Sequence, residues 1–152
     1  MGVHFLLALS PAGYVNPEPA DNEHHHVVPQ TRPLRVLIAD DERDEVATLA
    51  ALLSEEGHQV REIYRGDAVA HHVRDFAPHV VLLDIGMPGM NGYEVAKGLR
   101  DEYGEKCPVL IAVTAWDKGT HRMYGKIAGF KKYITKPYDP TALLALLPLL
   151  VR

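Results

Sequence analysis

His79-Val80-Val81-Leu82-Leu83-Asp84-Ile85-Gly86-Met87-Pro88-Gly89-Met90-Asn91-Gly92 is the stretch on which the fold turns. Val80 to Leu83 and Ile85 are branched and apolar, the composition of a strand buried on both faces. Asp84 stands where that run stops, and a turn rich in Gly and Pro follows at once. A carboxylate inside a strand needs a partner or a proton. At the carboxyl end of a parallel strand it looks instead into the crevice where open α/β sheets bind ligands. Taken alone, Asp84 reads better as an ordinary loop cap.

The flanking sequence repeats the pattern. Leu34 to Ala39 predicts a short apolar strand, β1, that ends in Asp40-Asp41-Glu42. Val46, Leu49, Leu52 and Leu53 recur at helical spacing between Glu42 and Gly57, predicting a helix α1 with Gly57 as its C′ stop. Gln59 to Tyr64 alternates as β2, and Ala68, Val69, Val73 and Phe76 predict a short α2 closed by Pro78. The quoted stretch supplies β3. Tyr93, Val95, Ala96, Leu99 and Tyr103 predict α3, beginning near Asn91, a good N-cap. Val109 to Val113 is a fourth strand, β4, ending at Thr114-Ala115. Residues 118–128 predict a weaker helix, α4, and Tyr133-Ile134-Thr135 a short β5 before Lys136-Pro137. Asp139-Pro140 opens the last helix, α5, with Pro at or near its first position. Five βα units call for an α/β fold: a five-stranded parallel sheet with helices on both faces. Right-handed crossovers favour the flavodoxin-like strand order 2-1-3-4-5.

Composition sets the bounds. The chain has 152 residues, enough for one domain with a proper core, and 47% of them are hydrophobic. A formal net charge of −4 without a basic run argues against nucleic acid as a direct partner. The single Cys107 excludes an internal disulfide and, beside Pro108, reads as a packed thiol in a reducing compartment. No apolar run is long enough for a membrane span, and Phe5 to Leu9 is too short for a signal-peptide core, so the expected location is cytoplasmic. Residues 1–33 read as a flexible N-terminal tail, rich in Pro and without a persistent apolar period; residues 34–152 form the domain. His24-His25-His26 lacks the spacing of a structural metal site.

On the predicted sheet the polar strand ends converge. Asp40 and Asp41 end β1, Asp84 ends β3, Thr114 ends β4, and Lys136 follows β5. Three carboxylates in one crevice repel each other unless a cation sits among them. Oxygen donors without His or Cys point to a hard ion, Mg²⁺ or Mn²⁺. Lys136 and Thr114 would hold an anion with several oxygens, such as a phosphoryl group on Asp84. Each residue has a plainer reading as a cap, a strand end or a solvated charge; their joint placement does not.

Residues 34–150 resemble the receiver domain of two-component response regulators. The matching motifs are Ile38-Ala39-Asp40-Asp41-Glu42, Leu82-Leu83-Asp84-Ile85-Gly86-Met87-Pro88-Gly89-Met90-Asn91-Gly92, Val113-Thr114-Ala115 and Tyr133-Ile134-Thr135-Lys136-Pro137. The resemblance implies a phosphoprotein rather than an enzyme, with Asp84 taking a phosphoryl group from a histidine kinase or phosphotransfer protein. It implies Mg²⁺ held by Asp40, Asp41, Asp84 and the backbone carbonyl of Gly86. It gives Thr114, Ala115 and Lys136 the phosphoryl oxygens, makes Thr114 and Tyr133 the switch pair, and implies a cis Lys136-Pro137 bond. Its output would pass through an α4-β5-α5 face, to a downstream partner or a second copy. Three departures stand out: Lys131-Lys132 makes that face more basic than usual, Gly86 and Trp116 occupy positions that influence phosphoryl lifetime, and no output domain follows before Arg152.

Other readings fit less well. A flavin protein of this fold needs a donor-rich phosphate loop after β1, where Asp40-Asp41-Glu42-Arg43-Asp44 is acidic. A phosphatase with an Asp nucleophile after β1 wants a second acid two residues on and added cap sequence. A phosphorelay shuttle, or a docking module in which phosphorylation is incidental, remains open alternatives to an output receiver. Thr141 to Val151 is apolar almost all round, which leaves either a wide buried face or an exposed patch carrying Leu146 and Leu150, and Pro148 is expected to kink or end α5.

Overall fold

The computed structural model describes residues 32–115 and 128–151. The predicted tail up to residue 31, Trp116, and α4 apart from Ala128 lie outside the described residues. Within them the chain runs β1 (Arg35–Ala39), α1 (Arg43–Glu55), β2 (Gln59–Ile63), α2 (Val69–Phe76), β3 (Val80–Leu83), α3 (Gly92–Tyr103), β4 (Val109–Thr114), β5 (Lys132–Thr135) and α5 (Pro140–Leu150). All strand pairs are parallel, and the sheet order is β2-β1-β3-β4-β5, as the βα alternation predicts. Parallel pairing brings the carboxyl ends of all five strands to one edge.

Burial on both faces explains why the central strands are so apolar. Val36, Ile38, Val80, Leu82, Ile111 and Val113 face α1 and α5, packing on Val46, Leu49, Leu53, Leu143 and Leu147. Their neighbours Leu37, Ala39, Val81, Leu83 and Leu110 face the other way, onto α2 and α3 through Val69, Val73, Val95 and Leu99. Each fully buried Leu or Val side chain contributes on the order of 2 kcal/mol, so two such layers dominate stability. Cys107 is half-buried beside the second layer, as expected of a packed thiol.

Local signals set the helix ends. Asn91 caps α3, its side chain accepting from the Glu94 N–H at 3.0 Å. Asp139 caps α5 by accepting from the Thr141 N–H at 2.9 Å, with Pro140 at the first helical position. Gly57 adopts φ +92° after α1, and its N–H donates to the Ser54 carbonyl at 3.0 Å. Boundaries shift slightly from expectation. Ala68 belongs to a 3₁₀ turn over Gly66–Ala68 rather than to α2, which begins at Val69. Thr114 is the last residue of β4, as expected.

Pro148 neither ends nor interrupts α5. The helix continues to Leu150, and the Val151 N–H donates to the Leu147 carbonyl at 3.1 Å. Leu143 and Leu147 are buried against the sheet, and Leu150 packs beside them, so packing outweighs the one lost backbone bond. Leu150 is half-buried rather than exposed. Leu146 is half-buried, and the exposed leucine is Leu149, at 61%.

Two histidines hold the start of β1. His58 Nδ1 accepts from the Leu34 N–H at 3.0 Å, and His79 Nδ1 accepts from the Arg35 N–H at 2.9 Å. Burial lowers the pKa of both rings, and the charges of Arg35 and Arg32 lower that of His79 further. A ring whose folded pKa lies below its unfolded value binds protons more readily when unfolded. Its penalty is therefore absent above about pH 6.5 and grows as pH falls below it. His58→Asn, which keeps an acceptor but cannot titrate, should show a shallower loss of Tm between pH 7 and pH 5 than the parent. Parallel Tm-against-pH curves would remove His58 from this role.

Candidate phosphoacceptor and metal site

Backbone bonds just past the strands aim the polar residues. The Asp40 N–H donates to the Ile63 carbonyl at 2.9 Å and the Asp84 N–H to the Ala39 carbonyl at 2.9 Å. The Lys136 N–H donates to the Thr114 carbonyl at 2.8 Å, tying the residue after β5 to the end of β4. Each ladder thus runs one residue beyond its strand and delivers a charged side chain to the shared edge. Behind Asp84 the loop is pinned by Gly66, whose N–H donates to the Pro88 carbonyl at 3.1 Å. A Cβ at Gly66 would collide with the Met90 carbonyl, so only glycine lets the two loops approach.

Asp40, Asp41 and Asp84 each offer a carboxylate oxygen within 4.8 Å of the others. Asp40 and Asp84 are buried, while Asp41 is exposed and keeps the cluster open to solvent. Lys136 closes the other side. Its Nζ lies 2.6 Å from Asp40 Oδ2, 3.2 Å from Glu42 Oε1, 3.6 Å from Glu45 Oε2 and 3.8 Å from Asp84 Oδ2, with its side chain 8% exposed. Asp84 Oδ1 accepts from the Gly86 N–H at 3.0 Å, and Asp40 Oδ1 from the Glu42 N–H at 3.0 Å. Thr114 is buried at the end of β4, Ala115 is exposed beside it, and Tyr133 is half-buried on β5 opposite Ala112. Lys131 and Lys132 are exposed at the start of β5, and the Lys136-Pro137 bond is cis.

The electrostatics follow from this crowding. Burial pushes the Asp84 carboxyl up to about 6, the Asp40 charge adds to the rise, and the Gly86 N–H and Lys136 oppose it. Burial alone would lower Lys136, but its hydrogen bond to Asp40 and the charges of Asp40 and Asp84 hold it above the usual lysine range. A hydrogen bond to Glu45, reinforced by Lys136, keeps Glu42 below the ordinary carboxylate range, and the same bond raises Glu45. The donor set is all oxygen and suits a hard divalent cation.

Glu42 and Glu45 complete the cluster, and sequence reasoning misses them. Their spacing of three puts them on one face of the start of α1, a legible signal. That this face meets Lys136, 94 residues on, is a tertiary fact.

A family model described as the response regulator receiver domain matches residues 36–148. This chain belongs to the response regulator receiver family. Protein PilH of Pseudomonas aeruginosa is 40% identical over 111 residues, covering 72% of this chain and 91% of PilH. Response regulator PleD of Caulobacter vibrioides is 35% identical over 112 residues, covering 73% of this chain and 24% of PleD. The chain thus spans nearly all of one relative and about a quarter of the other. Among solved structures, the BeF₃-activated N-terminal receiver domain of Klebsiella pneumoniae RstA aligns with a TM-score of 0.72 at 27% identity. That alignment covers 78% of this chain and 98% of the RstA domain. Receiver domains bind Mg²⁺ at an acidic pocket, and Asp40, Asp41 and Asp84 form such a pocket here. Among the described residues of this receiver, no helix is long and apolar enough to cross a membrane.

The raised pKa of Asp84 has a measurable consequence. Its folded value, about 6, lies above the ordinary 3.8, so the folded state holds the proton more tightly. The cost of burying the charge is therefore full above about pH 6 and fades as pH falls toward 3.8. In metal-free buffer Asp84→Asn should raise Tm at pH 7.5, with the gain shrinking between pH 6 and pH 4. A gain that does not vary with pH over that range would contradict this origin.

Proposed function

We propose that this receiver takes a phosphoryl group onto Asp84 from a histidine kinase or phosphotransfer protein. The observation that carries the reading is the packing of Asp40, Asp41 and Asp84 within 4.8 Å, with Lys136 against their inner side. An Asp84 carboxylate oxygen attacks phosphorus, the P–O bond forms, and the P–N bond to the donor imidazole breaks with the electron pair leaving on nitrogen. Asp40, Asp41, Asp84 and the Gly86 carbonyl would hold Mg²⁺ or Mn²⁺, which neutralises charge on the transferring group. The Gly86 N–H orients the nucleophile by holding Asp84 Oδ1. Lys136, Thr114 and the backbone at Ala115 take the phosphoryl oxygens, and Thr114 drawn toward them would let Tyr133 turn inward. The residues supply position and charge, which is most of what phosphoryl transfer asks of a protein.

Incubation with a small phosphodonor and Mg²⁺ should give an acid-stable, hydroxylamine-sensitive label. Asp84→Asn or removal of the divalent ion by chelation should abolish it. Label persisting on another residue of the Asp84→Asn protein would overturn the assignment.

The output surface is proposed to include α5. Ala142, Ala145, Leu146 and Leu149 recur at helical spacing, and all are exposed except the half-buried Leu146. This apolar stripe favours self-association or a downstream protein partner over nucleic acid, with Lys131 and Lys132 at the start of β5. Leu149→Glu should weaken the association induced by beryllofluoride and Mg²⁺ by an order of magnitude while leaving phosphorylation and Tm near parental values. Unchanged sedimentation and partner capture would place the surface elsewhere.

A further inference from the structure

A lysine ammonium has three N–H donors. In this structure Lys136 Nζ bonds Asp40 Oδ2 at 2.6 Å and Glu42 Oε1 at 3.2 Å, and approaches Glu45 Oε2 at 3.6 Å and Asp84 Oδ2 at 3.8 Å. Asp40 and Glu42 thus hold two of the three donors, and Glu45 and Asp84 lie at ion-pair distance. A phosphoryl group on Asp84 adds further acceptors to a cation already drawn toward four carboxylates. Asp40 is fixed beneath Lys136, being buried and bonded through its second oxygen to the Glu42 N–H. Glu42 and Glu45 are the movable claimants, with side chains 55% and 42% exposed at the start of α1.

We propose that Glu42 and Glu45 are positioning residues that compete with the phosphoryl group for Lys136 and so limit how firmly it is held on Asp84. The proposal rests on the phosphoacceptor reading of Asp84 given above. The two glutamates draw the ammonium toward the start of α1, and closing onto the phosphoryl oxygens requires it to give up one or both. Neither needs to touch the transferred group. Their effect passes through Lys136, which separates it from the general repulsion any acid near the site exerts on an anion.

The test is a ¹⁹F NMR titration of the full chain with beryllofluoride at saturating Mg²⁺. Glu42→Gln and Glu45→Gln keep the side-chain shape and remove the charge. Each should tighten beryllofluoride binding by about two- to five-fold, the scale of a part-exposed ion pair. Asp44→Asn removes the same charge one residue away, from a side chain that makes no ion pair with Lys136 among the described residues, and should leave the affinity within error. In a Lys136→Gln background the gain from Glu42→Gln and Glu45→Gln should disappear, because a coupling carried by one partner is lost with it. Equal tightening by Asp44→Asn, a gain that survives Lys136→Gln, or no gain at all would overturn the proposal. Should Lys136→Gln bind no beryllofluoride, the comparison with Asp44→Asn decides alone. A parent protein lacking a bound-fluoride signal that Asp84→Asn abolishes would instead defeat the phosphoacceptor reading, and the competition with it.

Discussion

Lys136 holds together a cluster that its own charges would otherwise drive apart. Asp40 and Asp84 are buried close to each other, and without a cation between them one would have to take up a proton or move into solvent. The ammonium sits 2.6 Å from one and 3.8 Å from the other, and is itself almost fully enclosed. Burying these ions costs solvation that the attraction between them only partly recovers, so the arrangement stores poised charge more than it adds stability. The elevated Asp84 pKa expresses that strain: burial works against the carboxylate, and Lys136 and the Gly86 N–H only partly relieve it.

The sheet makes this cluster possible by supplying rigid ends. A parallel sheet whose three central strands are apolar on both faces leaves no alternative direction for Asp40, Asp84 and the residues after β4 and β5. Ladder bonds run one residue past β1, β3 and β5, so the side chains hang from backbone that is already committed. Gly66 adds a second brace, locking the turn after Asp84 to the turn after β2. The charged crevice therefore depends on the apolar layers beneath it, which hold the strand ends in place.

Much of this was legible in one dimension. The apolar run before Asp84, the acids after Ala39, and Asn91 and Asp139 as caps all act through chemistry local to a few residues. Such signals survive whatever the tertiary context does. The misreadings fall where context intervened. Pro148 does not end α5: the lost backbone bond is visible in the sequence, whereas the compensating burial of Leu143 and Leu147, with Leu150 half-buried beside them, is not. Ala68 matched the apolar rhythm of α2, yet the close approach of Gly66 to the Met90 carbonyl belongs to a tight turn that holds it outside the helix. His58 and His79 carry no signal in sequence, because the N–H groups they accept from lie 24 and 44 residues away at the start of β1.

By itself the sequence determined the alternation of strands and helices, the parallel sheet and its order, and which residues stand at the strand ends. Periodicity, turn chemistry and the handedness of crossovers are enough for that. Tertiary structure alone decided which of those residues meet and how they share charge. Lys136 lies 96 positions from Asp40 and 94 from Glu42, and no local pattern specifies whether its three donors turn toward α1 or toward Asp84. It also decided which leucines of α5 face solvent, because a helix apolar on nearly every side has no orientation of its own until a sheet covers part of it.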